Sequence, residues 1–239
     1  MKIALDSPRE ARPVVGGRRI LLTIAPALAA GAAIGSATFV VLRSVADSNV
    51  TGQVITLEVY GCLVVSFALA FQPARNPPLA FRYTGAKHLG LAFLTWLGVL
   101  AAAGVVYFAL TPIFGDPLEA LLKILAVATD AKRLQGTPLL AWCIAVPRGC
   151  LLVPLFEEWM FRGLLLDWLR KRLSASRAIA VSAVPFAVMH VYPVAMPYAF
   201  LFGLAAGWLR LRTGSTLNTW FVHVLNNVLF LSLGLLLLK

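Results

Sequence analysis

Five side chains able to move protons or stabilise charge lie in the most apolar stretches of this 239-residue chain: Glu157, Glu158, His190, His223 and Asn227. The glutamates interrupt the run Leu151-Leu152-Val153-Pro154-Leu155-Phe156-Glu157-Glu158-Trp159-Met160-Phe161-Arg162, whose surroundings are apolar enough to be lipid-embedded. Ionisable groups at such depth cost on the order of several kcal/mol each, so they are functional candidates by default. A carboxylate shielded from water is a better general base near neutral pH, and a neighbouring histidine can share the proton and pass it to a leaving amine. Neutral His and Asn side chains donate hydrogen bonds to a developing oxyanion, a contribution of about 10²–10³ in rate per donor. Such a set needs no covalent nucleophile.

The helices that carry these residues have basic inner ends, which serve as a ruler. Glu157 lies 12 residues before Leu169, His190 lies 13 after Arg177, and His223 and Asn227 lie 11 and 15 after Arg212. At 1.5 Å rise per residue, their depths are roughly 18, 20, 17 and 23 Å from the inner surface. Three helices therefore bring polar groups to similar depth in a hydrocarbon core about 30 Å thick. Helical phase sets Glu157 and Glu158 about 100° apart, which predicts that they do not point at one spot. Glu158 and Arg162 are spaced i, i+4, the favourable acid-before-base order, which predicts an internal ion pair and leaves Glu157 to face a cavity. Phe186 with His190, and His223 with Asn227, share the same spacing.

Composition sets the architecture that must hold them. The chain is 60% hydrophobic and 13% charged, against about a quarter charged in soluble domains. No charged residue falls between Arg19 and Arg43, Lys87 and Asp116, Arg177 and Arg210, or Arg212 and Lys239. Each gap accommodates at least one helix of roughly 20 residues. The fold class is all-α, a polytopic transmembrane helix bundle of about seven spans. The net charge of +11 follows from the bias of Lys and Arg toward cytoplasmic loops rather than from a nucleic-acid surface. With the N-terminus inside, 15 basic residues fall on inner segments and five on outer ones (Arg43, Lys123, Lys132, Arg133, Lys239), with Arg148 near an outer helix end.

Along the chain, residues 1–19 read as a basic cytoplasmic tail, and 20–239 as a single transmembrane domain. Spans are expected over about 20–42, 54–72 and 89–111. The first is too long for a signal h-region and lacks a clear cleavage site, so it reads as a retained anchor. Residues 44–53 turn outside, and the proline-rich loop 72–78 returns the chain inside. Residues 117–128 are too short to span and mildly amphipathic, an interfacial helix on the outer side. The fourth span begins with Thr137 as N-cap and Pro138 at the first helical position. It passes Pro147 and Pro154, where kinks are expected, and ends at Arg170-Lys171-Arg172. The block 178–209 holds two helices broken by Pro193 and Pro197, and the last runs over about 216–238. Gly31 to Gly35 is a small-x-x-x-small pattern. Cys62, Cys143 and Cys150 show no metal spacing and read as small hydrophobes. Glu58 and Arg148 snorkel toward the outer interface.

At its polar residues the chain resembles the CAAX-protease and bacteriocin-processing (CPBP, or Abi) family of glutamic intramembrane endopeptidases. That family carries Glu-Glu-x-x-x-Arg, Phe-x-x-x-His and His-x-x-x-Asn. The chain reads Glu157-Glu158-Trp159-Met160-Phe161-Arg162, Phe186-Ala187-Val188-Met189-His190 and His223-Val224-Leu225-Asn226-Asn227, in that order within residues 138–238. The resemblance implies that Glu157 and His190 activate a water that attacks the scissile carbonyl. It implies an oxyanion site from His223 and Asn227, with Asn226 an alternative donor, and support from Glu158 and Arg162. It implies neither cofactor nor metal. The expected protein is a multi-pass integral membrane protein, of the plasma (inner) membrane if bacterial, in contact with lipid and acting on a membrane-anchored or lipidated protein.

Two other classes stay open on the residues alone. In the first, the chain is a non-catalytic membrane factor, for immunity, scaffolding or transport, and the polar cluster is structural. In the second, a zinc metalloprotease uses His190, His223 and Glu157 as ligands, although the His-Glu-x-x-His helix signature is absent.

Overall fold

The computed structural model describes Gly61 and residues 81–128, 134–137 and 139–238. The tail, the first two expected spans, the loops 44–53 and 72–78, Pro138 and the Gly31–Gly35 pattern lie outside the described residues. Among the described residues every regular element is a helix and none is a strand. In chain order they are α1 (Ala86–Ala109), α2 (Thr111–Phe114), α3 (Pro117–Ala128), α4 (Leu139–Leu169), α5 (Ala175–Val188), α6 (Met196–Thr213) and α7 (Thr216–Leu237). Three of them, α1, α4 and α7, are long and apolar enough to cross a membrane, and α5 is a shorter apolar helix. Large apolar side chains such as Val105, Phe108 and Leu139 stand exposed on α1 and α4, as a lipid-facing helix requires.

Local sequence sets the helix ends. Gly115, at φ 84, turns the chain after α2, and a Cβ there would stand 2.5 Å from Glu119 Oε2. The Asp116 carboxylate then accepts the Leu118 N–H at 2.8 Å and Pro117 opens α3, a cap followed by a pre-set first residue. The helix occupies the span expected for the amphipathic segment. Before α4, the Thr137 hydroxyl donates to the Leu134 carbonyl at 2.8 Å; the cap expected there involves Pro138, outside the described residues. At the far end of α4, Arg172 donates to the Trp168 carbonyl at 3.0 Å and lies 3.8 Å over its ring, covering one of the last carbonyls with a cation. Between α6 and α7, Gly214 takes the left-handed conformation at φ 66. Ser215 Oγ accepts the Leu217 N–H at 3.2 Å and donates to the Arg82 carbonyl at 2.7 Å.

The longest helix is not uniform. Proline lacks an N–H and crowds the turn before it. Where kinks are expected from Pro147 and Pro154, α4 widens into a π turn over Arg148–Leu152, and a second π turn covers Trp159–Leu165. Such turns are one identifiable cause of helix irregularity and cluster at functional sites. The glutamate pair ends the short α-helical stretch between them, Val153–Glu158.

Contacts divide the chain into two compact units. The first holds residues 81–121 and 161–222 of the described chain. Within it α5 and α6 pack through Gly203 and Gly207: a Cβ on Gly203 would meet Ala183 Cβ at 2.9 Å, and one on Gly207 would meet Ile179 Cγ2 at 3.1 Å. This is a small-x-x-x-small contact made by a pair the periodicity did not single out. Leu166, Leu169 and Ala178 form a buried cluster beneath Trp168 and Ile179. The second unit holds residues 122–128, 134–137, 139–160 and 223–238 of the described chain. Its buried cluster is Leu134, Ala141 and Ala145, with Trp142 and Leu231 against it.

Candidate active site

Within the second unit, α4 presents Glu157 and Glu158 and α7 presents His223, all three buried at 4%, 0% and 4% exposure. His223 Nδ1 lies 2.8 Å from Glu158 Oε1. Its Nε2 lies 3.7 Å from Glu157 Oε2, too long for a direct hydrogen bond. The expectation that the two carboxylates cannot address one point is thus corrected. A 100° separation at the helix matches the width of a ring, and one imidazole offers a nitrogen to each acid. Glu158, expected to pair with Arg162, has His223 as a hydrogen-bond partner. Holding one ring nitrogen on a buried carboxylate fixes the ring's orientation, the support that imidazoles in catalytic and metal sites commonly receive.

Asn227, one turn after His223, donates from Nδ2 to the Gly149 carbonyl of α4 at 2.9 Å. The reason this carbonyl is open can be read from the backbone. The Val153 N–H bonds to Arg148 O in the π turn, so the next carbonyl, Gly149, would be served by residue 154, and Pro154 has no N–H. A buried carbonyl without a donor is costly, and the asparagine supplies one. Asn226, 6% exposed, lies 3.5 Å by its Nδ2 from Asn227 Oδ1. The amide of Asn227 is thereby oriented at both ends, with its second N–H not engaged by either contact. Both asparagines belong to the cluster, Asn227 as the one that touches α4.

In the first unit, Arg162 is buried at 1%, with its guanidinium 4.1 Å over the Phe186 ring and 5.8 Å from that of Phe202. Phe161 meets Phe186 edge-on at 5.2 Å. A desolvated cation over an aromatic face is worth about 2 kcal/mol. His190 follows the end of α5, in the turn beyond Met189. Its ring meets Phe186 at 5.0 Å, and its Nδ1 is 2.8 Å from the Phe186 carbonyl. A carbonyl only accepts, so Nδ1 carries the hydrogen, and in the neutral ring Nε2 keeps the lone pair. The Phe-x-x-x-His spacing therefore has a physical content: it places a histidine where the carbonyl one turn back selects its tautomer.

The structure thus brings Glu157, Glu158 and His223 into one cluster with Asn226 and Asn227 a turn away, and it describes Arg162 and His190 together around Phe186. Periodicity did not point to Gly149 or to Tyr107, whose hydroxyl donates to the Val194 carbonyl in the loop that follows His190. A proline within an apolar helix was the available signal for the first, since it announces an open carbonyl. Nothing in the sequence marked the second. Among the described residues no three His, Cys, Asp or Glu side chains gather as a metal-holding group.

Comparison with curated proteins and with solved structures returns no match. Residues 139–229 match the family described as Type II CAAX prenyl endopeptidase Rce1-like, a segment that holds all three motifs. A family of endopeptidases, carried on helices apolar enough to cross a membrane, makes this an integral membrane protein of protease type. Through that segment, and over less than half of its length, the chain is similar to the CAAX protease (CPBP) family.

Proposed function

We propose that the protein is an intramembrane endopeptidase that hydrolyses a peptide bond with a glutamate- and histidine-activated water, and that its substrate is a membrane-anchored or lipidated protein. Glu157 and His190 take the proton of the water as its oxygen attacks the scissile carbonyl carbon. The negative charge that develops on the carbonyl oxygen is held by Asn227 and by His223 carrying a hydrogen on each ring nitrogen, its Nδ1–H on Glu158 and its Nε2–H on the oxyanion. The C–N bond then breaks, and the proton passes to the leaving amine. Glu158 orients His223, and Arg162 supports the helix that carries both acids. The bundle has about seven spans with the N-terminus cytoplasmic, and 20–239 is its one transmembrane domain.

The observation that carries this reading is the pair of buried carboxylates at the two nitrogens of His223, in a helix apolar enough to span a membrane. Two acids in unequal contact with one imidazole have unequal duties in this reading: the one hydrogen-bonded at 2.8 Å orients, and the one at 3.7 Å is assigned to the water. The second Asn227 N–H supports the oxyanion assignment, because the Gly149 bond fixes its direction.

The test is quantitative proteomics of membranes containing the wild type, Glu157→Gln or His190→Ala. A precursor that accumulates only in the variants, with the protein present at normal level, supports the proposal. Undiminished cleavage by both variants sinks it. The bonded contacts Glu158–His223 and Asn227–Gly149 also favour a second reading, a non-catalytic membrane factor with a structural polar cluster. In that case Glu157→Gln lowers stability and no precursor accumulates.

A further inference from the structure

The segment between α5 and α6 is restrained more than a connection requires. After Val188 the chain makes one last helical turn, with the Met189 N–H on Pro185 O at 3.0 Å and the His190 N–H on Ala187 O at 3.1 Å. It then reverses sharply: the Tyr192 N–H reaches His190 O at 2.6 Å, with Val191 between them at φ 62. A three-residue turn closed through a residue of positive φ is rare and strained. Val191 is the one non-glycine residue with positive φ among the described residues, and a β-branched side chain is the type least suited to it. Strain of this kind persists only where the surroundings over-determine the backbone. The Val191 side chain does not supply that restraint, being 70% exposed. Tyr107 does. It is buried on α1 at 6% exposure, and its hydroxyl donates to the carbonyl of Val194, which follows the turn by two residues.

We propose that Tyr107 is a positioning residue for His190: by holding Val194 it locks the strained turn and keeps His190 Nδ1 on the Phe186 carbonyl, so that Nε2 is the free base. The proposal rests on the reading of His190 as a catalytic residue. Without the tyrosine hydroxyl, Val191 relaxes to a negative φ, the carbonyl of His190 rotates with the reversed peptide, and the imidazole leaves the Phe186 carbonyl. The proton is then no longer confined to Nδ1, and both tautomers populate. Phenylalanine at position 107 keeps the ring and its contact with Phe114 at 6.2 Å and removes only the donor.

The measurement is ¹⁵N NMR of histidine-labelled full-length protein in lipid nanodiscs. The chain has three histidines, and His190→Ala identifies the His190 signals. The wild type shows one tautomer, with hydrogen on Nδ1. Tyr107→Phe shows a second set of ring-nitrogen signals. Tyr107→Phe with Val191→Gly returns to one set, because glycine holds positive φ without strain and no longer needs the latch. A merely structural loss would not be reversed by a glycine in the turn. Val191→Gly alone, with the latch intact, keeps the single tautomer, which provides a measurement even if Tyr107→Phe does not fold. An unchanged His190 spectrum in Tyr107→Phe, failure of the double variant to recover, or split signals in Val191→Gly alone each overturns the proposal. Precursor accumulation in His190→Ala cells judges the catalytic reading separately, so the two ideas fail on different observations.

Discussion

Replacing the two glutamates one at a time should separate an orienting acid from a reacting one. Glu158 is fully buried and hydrogen-bonded to His223 Nδ1 at 2.8 Å. Removing one partner of a buried charged pair costs about 3–5 kcal/mol in soluble proteins. Polar contacts in membrane proteins average only about 0.6 and reach about 1.7 kcal/mol, because the unfolded chain in lipid also finds partners. Complete burial places Glu158→Ala at the upper end of the membrane range, so a loss of about 2 kcal/mol is expected. Glu158→Gln keeps an acceptor where Oε1 lies and exchanges a charge-assisted bond for a neutral one, a loss of about 1 kcal/mol. Glu157 is 3.7 Å from Nε2, so Glu157→Gln removes no hydrogen bond to His223, and the isosteric amide keeps an oxygen for the other contacts of this side chain, a loss below about 1 kcal/mol. The assay is reversible unfolding of purified protein in mixed micelles by increasing SDS fraction, read by far-UV circular dichroism. Precursor accumulation is followed in the same set of cells. The expected order of stability is wild type and Glu157→Gln together, then Glu158→Gln, then Glu158→Ala, with cleavage lost first in Glu157→Gln. A Glu157→Gln protein as unstable as Glu158→Ala would refute the division of duties.

Three further outcomes follow from particular contacts. Asn227→Ala strips the Gly149 carbonyl of its donor and should destabilise the protein by about 1–2 kcal/mol in the same unfolding titration. Adding Pro154→Ala, which restores a backbone N–H at the residue that would serve Gly149, should recover part of that loss, and additive effects of the two changes would refute the link. Gly203→Ala should lower the unfolding midpoint more than Gly207→Ala. The first pushes a methyl within 3.1 Å of the Ala183 backbone and the second meets only the movable side chain of Ile179, with overpacking worth about 1–3 kcal/mol. Cleavage of an accumulated precursor should continue at full rate after prolonged treatment with a strong chelator, with no zinc found by elemental analysis; loss of cleavage restored by zinc would favour the metalloprotease class.

The helices nearest the motifs were legible in the sequence because their signals are local. The segment 117–128 and the last span over about 216–238 are bounded by composition, and the structure places Asp116 and Gly214 at those bounds, each acting within a single turn. Charge gaps give length in the same way, hence α1 and α7. The motif residues were legible as types, since a carboxylate or imidazole in an apolar run is conspicuous wherever it points. Their partners were less accessible. A rotation of 100° per residue describes an α-helix, but it says nothing of the size of the group that waits opposite, so it missed His223 between Glu157 and Glu158. It also assumes an unbroken ladder, which the π turns on either side of Val153–Glu158 do not provide. Asn227 meeting Gly149, and Tyr107 meeting Val194, join segments 78 and 87 residues apart; no periodicity within either segment encodes such a meeting.

The π turn at Arg148–Leu152 gives α4 a tolerance of length that its composition does not reveal. A bond from i to i+5 holds one residue more than the turn it replaces, yet both complete one revolution. Deleting a single residue there lets the ladder close as an ordinary α-helix, with no loss of apolar character. The flanking segments keep their phase, drawn closer by about 1.5 Å of rise. Glu157 and Glu158 would leave the helix in the same direction as before. A chain one residue shorter in this turn should keep the facing of its two acids as well as the spelling of its motif.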